Sequence, residues 1–145
     1  MYQVKDIMVD RVFTVGPEAT VDDAVSQLLS RQVSGLPVID DQRRLVGVVS
    51  EIDIIDLVYN ADLDQSTVAD YMTHEVRCLE ADASLDDAAK IFCTQTIRRI
   101  PIVQEGRLVG IVSRRDLIRF VRDIRKNDAA SNSSDQNIVS QPVVA

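Results

Sequence analysis

Two stretches of sequence decide the fold: LPVIDDQRRLVGVVSEID at Leu36–Asp53 and IPIVQEGRLVGIVSRRD at Ile100–Asp116. Pro37 recurs 64 residues later as Pro101, and the tripeptide LVG that follows the first polar turn recurs 63 residues later. The difference of one residue falls in the turn, where repeats tolerate changes in length. The chain therefore contains an internal duplication.

The duplication extends outward from these stretches over residues 4–59 and 68–122, and each copy shows the same order of local signals. A β-rich run precedes a Ser or Thr N-cap and a one-faced helix, and two strands joined by a polar turn precede a final helix. The unit is thus β-α-β-β-α. The predicted elements are Arg11–Val15, a helix after Thr20, Leu36–Ile39, Leu45–Val49 and a helix after Ser50, then Val76–Leu79, a helix after Ser84, Ile100–Val103, Leu108–Val112 and a helix after Ser113.

The predicted organisation is repeat 1 at residues 1–59, a polar connector at 60–67, repeat 2 at 68–126 and a disordered tail at 127–145. A chain of about 55 residues buries only about 60% of its unfolded surface, so one repeat is marginal alone. We expect the two repeats to share a core. The fold class is α+β.

Composition excludes several classes of function. The net charge of −7 and the pI of about 4.6 argue against nucleic-acid binding, because a polyanion would be repelled overall. No apolar run is long enough to cross a membrane and the N-terminus lacks a signal-peptide pattern, so we expect a cytoplasmic protein. Cys78 and Cys93 are expected to be reduced and buried. One histidine, His74, and no phosphate-binding glycine motif indicate neither a metal site nor an enzyme.

The repeated pattern of LPVID and IPIVQ followed by GVVSEID and GIVSRRD resembles a tandem pair of CBS domains, often called a Bateman module. The resemblance covers both repeats, and the chain resembles a stand-alone CBS domain-containing protein. It implies that the repeats pack about a pseudo-twofold axis. It also implies binding of AMP, ADP, ATP or S-adenosylmethionine as a regulatory ligand, with no catalysis, and association into a homodimer that regulates an unidentified protein.

Two Ser-x-x-Asp pairs carry the chemistry of the pattern. Ser50 with Asp53, and Ser113 with Asp116, lie where a predicted strand turns into a helix. One interpretation is a capping box, in which each side chain accepts from the backbone of the other residue. The other is that the carboxylate accepts hydrogen bonds from the ribose hydroxyls of a nucleoside. The two roles are compatible.

The resemblance also implies which residues complete two ligand sites. Arg98 and Arg99 are the candidates for holding phosphate, because a guanidinium binds phosphate oxygens bidentately. The site of Ser113 and Asp116 would include Met8, Phe13, Val33, Ser34 and Ile111. The mirror site of Ser50 and Asp53 would include Val48, Met72, Arg77 and Ile97. Because Ser34 and Gly35 replace the two arginines in repeat 1, the two sites should differ in affinity.

The final helices differ in charge. That of repeat 1 is acidic and that of repeat 2 is rich in arginine, which is compatible either with solvated faces or with a head-to-tail dimer. Two functions are consistent with the sequence: an adenine-nucleotide sensor, and a ligand-independent interaction scaffold in which the Ser-x-x-Asp pairs are only helix caps.

Overall fold

The two repeats have matching helices and hairpins in the computed structural model, which describes residues 1–60 and 65–132. The elements are α1 (Val21–Arg31), β1 (Gly35–Ile39), β2 (Leu45–Ser50) and α2 (Glu51–Asn60), then α3 (Val68–Tyr71), β3 (Leu79–Glu80), α4 (Leu85–Thr94), β4 (Arg99–Gln104), β5 (Arg107–Ser113) and α5 (Arg114–Asn132). A single 3-10 turn at Val4–Asp6 is the counterpart of α3. The mixed helix and strand fold confirms the α+β prediction.

The predicted caps start α1 and α4. The Thr20 hydroxyl accepts from the backbone N–H of Asp23 at 3.1 Å, and the Asp23 carboxylate accepts from the backbone N–H of Thr20 at 3.1 Å. Ser84 accepts from the backbone N–H of Asp87 in the same way, also at 3.1 Å. These contacts satisfy N–H groups that a helix start leaves without partners.

Both predicted hairpins are present and antiparallel: β1 pairs with β2, and β4 pairs with β5. In the first turn the Asp40 carboxylate accepts from the backbone N–H groups of Gln42 and Arg44, both at 2.9 Å. In the second turn Gly106 has a φ of 78°, a left-handed conformation that glycine adopts without steric cost.

The strand predicted at Arg11–Val15 is wrong except at its last residue. Only Val15 pairs in a sheet, with Val38 in parallel. The strand predicted at Val76–Leu79 is similarly reduced, because β3 contains only Leu79 and Glu80, parallel to β4. The residues before these pairs lie away from the sheet edge. They therefore do not pair with a neighbouring strand, despite their β propensity.

The final helix is longer than predicted, since α5 continues to Asn132 instead of ending at residue 126. The sequence from 111 to 132 contains no Gly or Pro that would stop a helix, and the Ser131 hydroxyl donates to the Asn127 carbonyl at 2.9 Å within the last turns. The start of the predicted tail is therefore helical. Residues 133–145 of the tail and 61–64 of the connector lie outside the described residues.

The N-terminal segment of repeat 1 packs on repeat 2. The backbone N–H of Val4 donates to the Ala83 carbonyl at 2.8 Å, and Val9 and Ile111 exchange two backbone hydrogen bonds of 2.9 Å. The Val4 side chain is fully buried and belongs to the apolar cluster of repeat 2.

The corresponding segment of repeat 2 packs on repeat 1 by equivalent contacts. The backbone N–H of Val68 donates to the Ala19 carbonyl at 2.9 Å, and Thr73 and Val48 exchange backbone hydrogen bonds of 2.8 and 2.9 Å. Val68 is fully buried in the apolar cluster of repeat 1. Each core is therefore completed by a segment of the other repeat. We call this arrangement the segment exchange.

The hairpin turns also meet across the pseudo-twofold axis. The backbone N–H of Leu45 donates to the Gly106 carbonyl at 3.1 Å, and that of Leu108 donates to the Arg43 carbonyl at 2.9 Å. The two repeats are thus joined by backbone hydrogen bonds at both the segment exchange and the turns. Within the described residues, no helix has the length and apolar character needed to cross a membrane.

Gly47 tests the segment exchange, because an added Cβ there would lie 2.9 Å from the Thr73 carbonyl oxygen and 2.6 Å from the Met72 sulfur. The carbonyl is fixed by its position beside β2, so the exchanged segment would have to shift. We expect Gly47→Ala to lower the free energy of unfolding by about 1–3 kcal/mol, measured by chemical denaturation. Gly16→Ala is the matched control, since nothing lies within 4 Å of the Cβ it adds. Equal losses in both variants would contradict this account.

Candidate functional site

Asp116 lies at the start of α5 and is held by Ser113. Its Oδ2 accepts from the backbone N–H of Ser113 at 2.7 Å and from the Ser113 hydroxyl at 2.9 Å, while the Ser113 oxygen accepts from the backbone N–H of Asp116 at 3.2 Å. Asp116 is only 8% exposed. Its other oxygen, Oδ1, accepts from Arg119 Nη1 at 3.1 Å.

Asp53 repeats this geometry at the start of α2. Its Oδ2 accepts from the backbone N–H and the hydroxyl of Ser50 at 2.8 and 3.0 Å. Here Oδ1 faces the Thr73 hydroxyl at 3.5 Å, which is the outer limit of a hydrogen bond. The two carboxylates therefore share their capping contacts and differ in the partner of the second oxygen, which is an arginine for Asp116 and a threonine hydroxyl for Asp53.

Both Ser-x-x-Asp pairs are capping boxes, so that interpretation of the sequence is confirmed. The geometry alone does not mark a binding site, because Thr67 and Asp70 form the same box at the start of α3, with 2.8 Å from the Thr67 N–H to Asp70 Oδ2. What distinguishes Asp116 and Asp53 is the surface beside them.

A cleft of about 310 Å³ lies beside Asp116 and brings together residues from both repeats. Six residues of the predicted site line it: Phe13, Val33, Arg99, Ile111, Ser113 and Asp116. Sequence reasoning missed three arginines of the same cleft, Arg11, Arg115 and Arg119. The run of arginines at the start of α5 is the sequence signal that points to Arg115 and Arg119, whereas no local signal points to Arg11.

A second cleft, of about 550 Å³, lies beside Ser50. From the predicted mirror site it is lined by Val48, Ser50 and Ile97. Ser34, which was assigned to the other site, and the phosphate candidate Arg98 also line it. Arg99 and Ile111 line both clefts.

Four predicted site residues do not line these two clefts. Met8 and Met72 pack against the glycines of the opposite repeat, Gly110 and Gly47, and extend the two apolar clusters. Arg77 Nη2 lies 2.7 Å from the side-chain amide of Gln95, in the orientation in which the amide oxygen accepts. Asp53 lies behind Ser50, which faces the second cleft.

A third cleft, of about 830 Å³, joins the end of α1, α2 and the start of α5. Its apolar part is formed by α1 and α2, and its polar part includes Arg98, Arg99 and Arg114. The backbone positions of this region are equivalent in the two repeats: the Arg98 carbonyl accepts from Arg114 N–H at 3.3 Å, and the Ser34 carbonyl accepts from Glu51 N–H at 3.0 Å. Arg99 lines all three clefts, and Arg98 lines the two that include Ser34 and Glu51.

The sequence profile of the CBS domain matches residues 4–60 and 68–123, which are the two repeats. The chain belongs to the CBS-domain family. The CBS domain-containing protein YhcV of Bacillus subtilis is 34% identical over 140 residues, covering 95% of this chain and 99% of YhcV.

Two solved CBS-pair structures hold ligands. The crystal structure of CBSX2 in complex with AMP has 36% identity and a TM-score of 0.77, and it covers 86% of this chain and 99% of CBSX2. The CBS domain pair of protein MJ0100, in complex with 5′-methylthioadenosine and S-adenosyl-L-methionine, has 26% identity and a TM-score of 0.71, with 86% and 98% covered. Adenine-containing ligands thus bind to CBS pairs of this fold.

The two cysteines and the histidine of this CBS pair lie in different environments. Cys78 is half-buried, and burial, with a smaller contribution from Glu80, raises the pKa of its thiol and keeps it protonated. Cys93 is exposed on α4, so the prediction that it is buried is wrong. His74 is exposed in a loop, and no group of three metal-ligating side chains occurs in the part of the chain that the structure describes.

Tyr71 lies near the Asp53 carboxylate, and the environment of its hydroxyl group is unusual. The oxygen is buried and has no hydrogen-bond partner among the described residues. Burial, then the negative charges of Asp53 and Asp23, raise the pKa of Tyr71 above its ordinary value. The hydroxyl is therefore held neutral, and its ionisation is opposed by the folded structure.

This shift predicts a loss of stability at alkaline pH. A tyrosine ionises at about pH 10 in the unfolded chain, and Tyr71 ionises at a higher pH in the folded chain. Its contribution to the free energy of unfolding is therefore complete below about pH 10 and is lost as the pH rises above that value. We expect the free energy of unfolding of the wild type to fall more steeply above pH ~10 than that of Tyr71→Phe. Tyr59→Phe is the control, since Tyr59 is 82% exposed. Parallel curves for the wild type and Tyr71→Phe would show that the charge at Tyr71 has no effect.

Proposed function

We propose that this CBS pair is a regulatory sensor that binds AMP, ADP, ATP or S-adenosylmethionine in the clefts beside Asp116 and Ser50. The observation that carries the proposal is the carboxylate of Asp116. It is almost fully buried, yet it borders a cleft formed by both repeats. The ligands of CBSX2 and MJ0100 support an adenine compound, because both contain adenine and a ribose.

The cleft beside Asp116 offers each group that an adenine nucleotide requires. A carboxylate accepts hydrogen bonds from ribose hydroxyls, and Asp116 Oδ1 is the oxygen not used in capping. Val33 and Ile111 provide apolar surface for a base, and Arg99 provides a guanidinium for phosphate. The Phe13 ring is fixed by Arg31, whose guanidinium lies 4.3 Å from the ring centroid.

Regulation would follow from the position of the cleft between the repeats. A ligand that touches Phe13 and Val33 on one side and Ser113 and Arg99 on the other favours the repeat geometry in which all are reached. It shifts the population of that geometry by no more than its differential affinity. A partner protein that reads this geometry is then regulated without catalysis by the CBS pair.

The alternative is a ligand-independent scaffold, and the capping boxes are the observation in its favour. They give both aspartates a structural role that needs no ligand. We favour the sensor because equivalent boxes at Thr20 and Thr67 cap helices with exposed carboxylates, whereas Asp116 is buried beside a cleft. We also propose a cytoplasmic location, since an acidic chain with two free thiols suits a reducing compartment.

Ligand-induced thermal stabilisation tests the sensor. A ligand at about a hundred times its Kd stabilises the folded state by roughly 2.7 kcal/mol, which raises the Tm by several degrees. We expect such a rise with at least one of AMP, ADP, ATP and S-adenosylmethionine, and none with GTP. Asp116→Ala should abolish or reduce the rise at the cleft beside α5.

Asp70→Ala is the matched control for this experiment, because it also removes a capping carboxylate and lies outside the three clefts. Both variants should lose about 1 kcal/mol of stability as a lost cap does. Only Asp116→Ala should also show a smaller or abolished rise in Tm with ligand. If no ligand raises the Tm of the wild type while both variants lose stability equally, the chain is a scaffold.

We further propose that the CBS pair forms a homodimer through α2 and α5. Large apolar side chains are exposed on both helices: Ile52, Ile55, Val58 and Tyr59 on α2, and Ile118 and Val121 on α5. Exposed apolar patches of this kind mark interfaces in soluble proteins. Because α2 begins with acidic residues and α5 carries arginines along its length, a head-to-tail arrangement would bring opposite charges together.

Sedimentation velocity at low and high salt tests the dimer. We expect a dimer at low salt that weakens as salt screens the charges. Ile118→Glu, which places an acidic group in the exposed apolar part of α5, should give a monomer, whereas Lys90→Glu on α4 should not. A monomer at every concentration, or a dimer insensitive to both salt and Ile118→Glu, would contradict the arrangement.

A further inference from the structure

The clefts beside Asp116 and Ser50 are related by the pseudo-twofold axis but have different charges. Three positions account for the difference: Arg11, Arg115 and Arg119 in one half correspond to Glu75, Ile52 and Asp56 in the other. All three arginines line the cleft beside Asp116. The two halves of the duplication have therefore diverged in charge around their clefts.

The cleft beside Asp116 is strongly basic. Four guanidinium groups line it, those of Arg11, Arg99, Arg115 and Arg119, against the single carboxylate of Asp116. The cleft beside Ser50 is lined by Arg98 and Arg99 together with the carboxylate of Glu51. Clustered charge of one sign in a concave surface raises the local concentration of oppositely charged ligands.

The contact between Arg119 and Asp116 adds selectivity to this attraction. Arg119 Nη1 lies 3.1 Å from Oδ1, the carboxylate oxygen that a ribose hydroxyl would use. A ligand without phosphate that takes this oxygen leaves the guanidinium without its partner. A ligand with several phosphates offers the guanidinium a new anionic partner, and Arg119 is 58% exposed and able to turn toward it.

We infer that the cleft beside Asp116 is selective for adenosine ligands that carry two or three phosphates, and that the cleft beside Ser50, with two arginines and one carboxylate, discriminates less by ligand charge. This inference rests on the proposed function, since it assigns ligand classes to the same clefts. In the cleft beside Asp116, Arg119 is the residue that sets the preference, because it contributes to phosphate binding and competes with the ribose.

Isothermal titration with ATP and 5′-methylthioadenosine tests the assignment, because the two ligands share adenosine and differ in charge. Ser50→Phe, which places a bulky side chain in the cleft that Ser50 lines, isolates the cleft beside Asp116. Asp116→Ala isolates the cleft beside Ser50. We expect ATP to bind more tightly than 5′-methylthioadenosine in Ser50→Phe, and this preference to be several-fold smaller in Asp116→Ala. An equal preference in both variants would overturn the inference.

Arg119→Gln, introduced into Ser50→Phe, separates the two effects of the arginine. The Kd for ATP should rise about tenfold, as expected for the loss of one charged hydrogen-bonding partner. The Kd for 5′-methylthioadenosine should stay constant or fall, because the competitor for Oδ1 is gone. Opposite directions for the two ligands are not produced by a general loss of structure.

Arg122→Gln is the matched control. Arg122 lies one turn further along α5, is also 58% exposed, and pairs with Asp123 outside the cleft. It should leave both Kd values unchanged. If wild-type ATP binding is detected but Arg119→Gln behaves like Arg122→Gln, the inference is wrong and the sensor function stands. If no adenine ligand binds the wild type, both are wrong.

Discussion

The structure depends on the segment exchange, in which each repeat supplies a short N-terminal segment to the core of the other. Val4 and Val68 are fully buried in the opposite clusters, and paired backbone hydrogen bonds at Val9–Ile111 and Thr73–Val48 fix the segments in register. These contacts require a strand residue that has no side chain, and Gly47 and Gly110 are those residues in the two repeats. The exchange makes the two repeats one cooperative unit and fixes the width of the clefts between them.

The position of the clefts follows from this constraint. Because the N-terminal segment of repeat 1 pairs with β5 at Ile111, the residues immediately after it, Arg11 and Phe13, lie beside the start of α5. The cleft is therefore closed on one side by repeat 1 and on the other by Ser113 and Asp116. A capping carboxylate is normally a surface feature. Here the same chain crossing that completes the core also covers Asp116, which turns a helix cap into a buried acceptor.

The sequence was sufficient for everything that local chemistry determines. The duplication, the Ser and Thr caps and both hairpins were predictable, because periodicity and turn residues act over a few positions. The strand at Arg11–Val15 was not, since residues 11–14 have β propensity but no strand beside them, and only Val15 pairs in the sheet. The site was predicted in part: Phe13, Val33, Arg99 and Ile111 meet at Asp116, while Met8 and Met72 fill the space over the glycines. Arg119 was missed because its contact with Asp116 looks, in sequence, like an ordinary helix pair.

The segment exchange also constrains how such a chain can have arisen by duplication. A single repeat that gives away its first segment has an unfilled core, so it must receive the equivalent segment from a second molecule. Its folding would then depend on protein concentration, as that of an obligate dimer does. Covalent fusion replaces this dependence with a high effective concentration that does not change on dilution. Fusion also allows the two halves to mutate independently, which is the condition for unequal charge on symmetric surfaces.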